Sequence, residues 1–178
     1  VTFLSYLLMV FRKATTDDAL QIAQLHAASW QIAYRGILSD EYLDNQVLND
    51  RIAVWTERTQ NPADNQVIFV FEEDGQIIAF TCAFANKSED FGTYIDNLHV
   101  KPNLKGTGFG RKLMRAVAEW SIENYNQPKL YLHVFEENRA ARGFYEKVGG
   151  TNRGNFLENC PDGSQAMVCY YTWNEFTA

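Results

Sequence analysis

The chain has 178 residues, enough for a single domain with a proper core. It is 46% hydrophobic, 14% aromatic and 21% charged, with 11 Gly and only 4 Pro. That composition excludes a disordered, collagen-like or repeat protein. With 16 Lys and Arg against 22 Asp and Glu the formal net charge is −6, which argues against sequence-independent binding of a nucleic-acid backbone and suits a small cationic substrate. The three cysteines (Cys82, Cys160, Cys169) form no CxxC pair and the three histidines (His26, His99, His133) are scattered. Neither a disulfide framework nor a metal site is expected, and a reducing cytoplasm is the natural compartment.

Residues 1–8 are apolar, but they lack a basic leader and a cleavage site and are too few to span a bilayer, so they read as an extension ahead of a domain covering 9–178. A short strand is expected over 9–14. Thr15-Thr16-Asp17-Asp18 supplies N-cap oxygens and early negative charge for a helix to about Ala33, ended by Gly36. Ser39-Asp40-Glu41 caps a second short helix, and 48–59 form a third. The period then changes: 67–71 and 76–84 read as a hairpin across Glu72-Glu73-Asp74-Gly75. A strand over 93–100 leads into a glycine-rich loop and a helix from about Gly110 to Tyr125. A strand over 129–135, a helix over 138–148 closed by Gly149-Gly150, and two strands near 152–158 and 165–173 complete the chain. This α/β (α+β) order implies one mixed, mostly antiparallel sheet with helices on both faces.

The most informative stretch runs from Ile95 to Met114. A strand ends at Leu98-His99-Val100, and Lys105-Gly106-Thr107-Gly108-Phe109-Gly110-Arg111 opens directly into a helix. Glycines there allow successive N–H groups to point into one concavity beside a helix N-terminus, where partial positive charge collects. Lys105, Arg111 and Lys112 add charge around it. The pattern is neither GxxxxGK[ST] nor GxGxxG, so a nucleoside triphosphate loop and a dinucleotide fingerprint are both disfavoured.

Lys105-x-x-Gly108-x-Gly110 resembles the acyl-CoA pyrophosphate signature Q/R-x-x-G-x-G/A of the GNAT N-acetyltransferase superfamily. Asn138-x-x-Ala141-x-x-Phe144-Tyr145-Glu146-Lys147-x-Gly149 resembles its second motif, N-x-x-A-x-x-F-Y-E-K-x-G-F. Lys105 stands for the usual Gln or Arg, and Gly150 for the usual Phe. The resemblance extends from Val10 to the last strand. It implies about seven strands, with a splay between the fourth and fifth (93–100 and 129–135) that admits acetyl-CoA. Leu98, His99 and Val100 would then line the acetyl and pantetheine channel, with main-chain groups of Leu98 and Val100 facing the coenzyme. Lys105, Gly106, Thr107, Gly108, Phe109, Gly110 and Arg111 would surround the diphosphate. Asn138 would bond the pantetheine arm, and Tyr145 would place its hydroxyl near the thioester sulfur. Kinship also implies a homodimer.

Acetyl transfer from a thioester to an amine needs a polarised carbonyl, a proton for the leaving thiolate and a neutral amine. The N–H near Leu98 would serve the first and Tyr145 the second. Candidate bases are Asp96 and His133 on the strands, and Glu89 or Asp90 in the preceding loop. Strict alternation would place Asp96, Leu98 and Val100 on one face and His99 on the other. The acceptor would lie against the segment between the first two helices. There Trp30 and Tyr34, one turn apart, either wall a pocket for a cation or pack in the core; Arg35 either joins them or pairs with Asp40 or Glu41. The reading is an acetyl-CoA-dependent N-acetyltransferase acting on a small-molecule amine, with no nucleic-acid or membrane partner. A protein N-terminal or lysine acetyltransferase, or a non-catalytic acyl-CoA sensor, are the alternatives.

Overall fold

The computed structural model describes residues 9–178, so the expected extension over 1–8 lies outside the described residues. The elements in order are β1 (Met9–Lys13), α1 (Ala19–Ala33), α2 (Asp40–Asn45), α3 (Val47–Gln60), β2 (Gln66–Glu73), β3 (Gln76–Ser88), β4 (Gly92–Val100), α4 (Phe109–Tyr125), β5 (Leu130–Phe135), α5 (Arg139–Lys147), β6 (Thr151–Asn159) and β7 (Gln165–Trp173). The seven strands form one sheet in the order β1-β2-β3-β4-β5-β7-β6. Among the described residues only the β4–β5 pair of strands is parallel; the other neighbours are antiparallel. No helix among the described residues is long and apolar enough to cross a membrane.

Local chemistry sets the boundaries. The Thr15 N–H and hydroxyl both donate to Asp18 Oδ2 (2.7 and 3.1 Å), and Asp18 is clasped in turn by both terminal nitrogens of Arg12. A short 3-10 turn over Thr16–Asp18 therefore precedes α1. The Ser39 hydroxyl caps α2 by accepting the Tyr42 N–H. Asp74 and Gly75 both take positive φ, the requirement of a two-residue type I′ loop, and they close the β2–β3 hairpin.

Alternation along β2 feeds two cores. Val67, Phe69 and Phe71 pack with Leu113, Met114 and Val117 of α4 and with Tyr145 of α5. Ile68 and Val70 pack with Ile22 and Leu25 of α1 and Trp55 of α3. The sheet is covered on both faces, as its uninterrupted apolar run from Val67 to Phe71 requires. The three cysteine sulfurs are buried and free.

The structure corrects the expected facing of β4. Asn97 pairs with Cys82 and Ile95 with Ala83, so β4 carries one extra residue, Asp96, as a bulge. The bulge resets the alternation. Leu98 and Val100 pack toward α4, whereas Asp96 joins Asn97 in receiving Arg58 of α3, on the face where His99 meets His26 of α1.

Candidate active site

β4 and β5 pair only at Thr93–Leu130, Tyr94–Tyr131 and Ile95–Leu132. Beyond Ile95, β4 continues beside β3 while β5 continues beside β7, which leaves Asp96–Val100 and His133–Phe135 facing each other without a ladder. The direction of the β4 main chain in that gap follows from its end. Lys101 donates its N–H to Ile78 O at 2.8 Å, so alternation turns His99 toward β3 and the N–H groups of Leu98 and Val100 into the gap. His99 thus sends neither its ring nor its N–H into the gap: the ring lies 4.4 Å from that of His26.

At the open end of the gap the chain makes a turn over Pro102–Leu104. The Thr107 hydroxyl donates to Leu104 O at 2.6 Å and secures the loop that follows. Gly106 and Gly108 both have positive φ (83° and 96°), and a Cβ at either would meet nothing within 4 Å. That space is open on the side where α4 begins. The first N–H groups of α4, on Phe109, Gly110 and Arg111, lack intrahelical acceptors, as in any helix. Gly110 answers a different need, since a Cβ there would stand 3.0 Å from the Phe144 ring. Phe109 packs edge-on against Phe71 at 5.0 Å. Free amides, a helix N-terminus and the cations Lys105, Arg111 and Lys112 fit a diphosphate, and the parted strands fit an extended arm between them.

Asn138 caps α5: its Oδ1 accepts the Ala141 N–H at 3.2 Å, which leaves its amide hydrogens free to donate. Tyr145, on the same helix, is buried against Phe144, Tyr171 and Trp173. Burial, reinforced by the nearby Tyr34 hydroxyl, raises the Tyr145 phenol above its ordinary value, so it is a proton donor throughout the neutral range.

The opposite face of the gap is built from α1 and α3. Tyr34 packs edge-on against Phe135 of β5 at 4.8 Å and lies 5.2 Å from the ring of Trp30. The Trp30 ring is covered by the chain's own Arg51, whose guanidinium lies 4.5 Å from the ring centroid. Arg35 is apart from this group: it is exposed and pairs with Asp40 and Asp44, while Glu41 accepts from Asn45. Asp96 is engaged by Arg58 at 2.5 Å, and the same nitrogen of Arg58 reaches Asn97 Oδ1 at 2.9 Å. His133 lies among Tyr94, Tyr131 and Phe156. Burial lowers its pKa and the Asp96 charge opposes that, so the ring is neutral at pH 7.

Sequence reading missed three contributors here. Arg51 and Arg58 sit on an amphipathic helix and read as solvated charges; only the tertiary fold lays them over Trp30 and Trp55. His26 falls on the apolar stripe of α1, and no local signal pairs it with His99, 73 positions later in the chain.

Comparison with known proteins supplies kinship. Residues 22–150 match the family model described as the acetyltransferase (GNAT) family. A Mycobacterium tuberculosis protein named "probable N-acetyltransferase" is 27% identical over 139 residues, 76% of each chain. The spermidine N(1)-acetyltransferase of Vibrio cholerae is 36% identical over a shorter stretch of 59 residues, 33% of this chain and 34% of its own. The crystal structure of PaiA N-acetyltransferase from Thermoplasma acidophilum in complex with coenzyme A superposes with a TM-score of 0.66 at 18% identity, covering 93% of this chain and 99% of that one. With the parted β4–β5 strands and the glycine turn at their mouth, these matches establish that the chain belongs to the GNAT family and is an acetyl-CoA-dependent N-acetyltransferase.

Proposed function

We propose that the chain transfers the acetyl group by direct attack of a small primary amine on the thioester, with the amine entering from the α1–α3 side of the gap. The observation that carries this reading is the loss of β4–β5 pairing beyond Ile95–Leu132, beside the open space at Gly106 and Gly108 and the first N–H groups of α4. Acetyl-CoA supplies an activated acyl carbon and a thiolate leaving group. The chain's part is to hold, orient and exchange protons.

In this reading the amides from Gly106 to Arg111 grip the diphosphate, with Lys105 alongside. Thr107 and Phe109 shape the loop through their own contacts. The Leu98 N–H donates to the thioester oxygen as negative charge grows there, and the Val100 main chain and the Asn138 amide hold the pantetheine arm. Tyr145 protonates the departing sulfur.

The amine must arrive neutral, and for an alkyl amine of pKa about 10.4 that costs about 4.6 kcal/mol at pH 7. Desolvation behind Trp30 and Tyr34 lowers part of that cost. Of the two strand candidates, His133 is neutral at pH 7 and so able to accept the proton, whereas Asp96 already holds Arg58. Asp96 then acts on His133 through its charge, as a positioning group. The relatives named for spermidine and spermine support a small-molecule acceptor. The cytoplasm and a homodimeric assembly belong to the same reading.

Thiol release from acetyl-CoA, followed over a panel of amines alongside calorimetric binding of the coenzyme, tests it. Binding with amine-dependent release is expected. Binding without transfer to any amine would identify a sensor instead.

A further inference from the structure

The acceptor wall holds an imbalance of hydrogen-bonding groups. Among the described residues, four buried polar atoms on it lack any partner: His26 Nε2, Ser29 Oγ and Trp30 Nε1 on α1, and Arg51 Nε on α3. Trp30 Nε1 and Arg51 Nε can only donate. His26 Nε2 is a donor as well. Trp55 Nε1 gives its hydrogen to His26 Nδ1 at 2.9 Å, so the neutral ring carries its own hydrogen on Nε2. Ser29 can do either. The wall therefore presents three donors by necessity and one by choice.

The nearby acceptors are already in use. Asp50 Oδ2 receives both Arg51 Nη2 at 2.9 Å and the Tyr42 hydroxyl, and Asp96 receives Arg58. Residues 26, 29 and 30 share one face of α1, and Arg51 lies over Trp30. The group borders the gap on both sides, because His26 stacks on His99 of β4 and Trp30 leads through Tyr34 to Phe135 of β5. His26 is fully buried, so bulk water does not reach it.

We propose that the acceptor carries a carboxylate as well as its amine, and that Arg51 is the residue that selects it. This deepens the proposed function and rests on it. A carboxylate brings acceptor lone pairs to a wall short of them, and the Arg51 Nε left over by the Asp50 ion pair can donate to it. A polyamine brings only more donors and more positive charge, so the wall disfavours it. Of the two readings the sequence leaves open for Trp30, a wall for an acceptor's cation or core packing, the first meets Arg51 on the ring face: the cation there is one of the chain's own. Burial above all, then the charges of Lys105 and Arg51, lowers the pKa of His99 to about 3, and burial, then His99, Arg51 and Arg58, lowers that of His26.

The experiment uses the full chain and acetyl-CoA with matched acceptors: amino acids, their carboxamides, the corresponding decarboxylated amines, and spermidine. Each acid is expected to exceed its carboxamide by about tenfold or more in kcat/KM, the scale of one charge-assisted hydrogen bond. Arg51→Gln should erase that ratio through the KM of the acid while acetyl-CoA affinity holds, and Arg51→Lys should restore part of it. Equal rates for acid and carboxamide, or faster transfer to spermidine, would overturn the inference and leave the acetyltransferase reading standing. An equal slowing of acid and carboxamide in Arg51→Gln would do the same. Should that variant fail to fold, the ratios in the unmodified protein still decide. Coenzyme binding without transfer to any amine would remove both readings together.

Discussion

Replacing Gly108 by Asp tests the diphosphate cradle most directly, because the structure separates its two effects. The first is conformational. Gly108 sits at φ 96°, where an L side chain is strained by about 1–2 kcal/mol, yet a Cβ there meets nothing within 4 Å. Gly108→Ala should therefore lose only that much, roughly 2–8 °C in Tm for a chain of this size, and acetyl-CoA affinity should fall little. The second effect is electrostatic and belongs to Asp alone. A carboxylate roughly 5 Å from one phosphate charge, at an effective dielectric of about 20, is repelled by about 3 kcal/mol. One such pair already weakens Kd by about two decades, and a diphosphate offers two. Calorimetry on the Gly, Ala and Asp forms, with melting curves as the folding control, measures both effects. A folded Asp variant that bound acetyl-CoA within about threefold of the Ala variant would refute the placement of the diphosphate at this turn.

Three further outcomes follow from the same geometry. Tyr145→Phe removes the buried phenol but not its ring contacts, so kcat should drop by about 10²-fold or more with coenzyme Kd within severalfold; an unchanged kcat in single-turnover assays would assign the sulfur's proton to another donor. His133 must be neutral to accept a proton, and burial lowers its pKa, so kcat/KM should fall only as pH drops through a midpoint below 6.5; His133→Gln should abolish that limb, and a limb surviving in the variant would free His133 of the role. Asp18 is held below its ordinary pKa, first by its hydrogen bonds from Arg12, so it stabilises the fold above about pH 4 and loses that contribution as pH falls through its folded value. Asp18→Asn should cost about 2 kcal/mol at pH 7 in denaturant unfolding, with the gap to the unmodified protein narrowing in acid; a gap that stayed constant below pH 4 would show that Arg12 is not its source.

What could be read from the chain alone was whatever its physics makes local. Positive-φ glycines before a helix, Ser39 as a cap, and a hairpin turn within Glu72-Glu73-Asp74-Gly75 depend on neighbours a few positions away; the first two appear where their spacing placed them, and the turn tightens to Asp74-Gly75. The facing of Asp96 was not local. It depends on how β4 is registered against β3, and the extra residue between the Ala83 and Cys82 partners has no signature in Ile95-Asp96-Asn97. Arg51 and Arg58 escaped for a related reason. A charge on a half-apolar helix is solvated by default, and only the stacking of α3 on α1 and the sheet turns these two inward.

The bulge at Asp96 also explains why the gap forms where it does. It directly follows Ile95, the last residue of β4 in register with β5. An added residue increases the local twist of a strand, and β4 stays with β3 through Val100 while β5 stays with β7 through Phe135. The two strands must then diverge from that point. The same residue turns Leu98 and Val100 toward the α4 core and leaves their N–H groups facing the opening, while Asp96 and Asn97 together reach Arg58 on the far face. The break in the ladder, the exposed amides and the charged acceptor wall thus share one cause. Deleting Asp96 should accordingly do more than remove a carboxylate. By restoring alternation it would leave Asn97 alone to face Arg58 and let β5 pair beyond Leu132, so acetyl-CoA binding should be lost while a folded sheet persists; retained binding in calorimetry, with the sheet verified by circular dichroism, would show that the divergence has another origin.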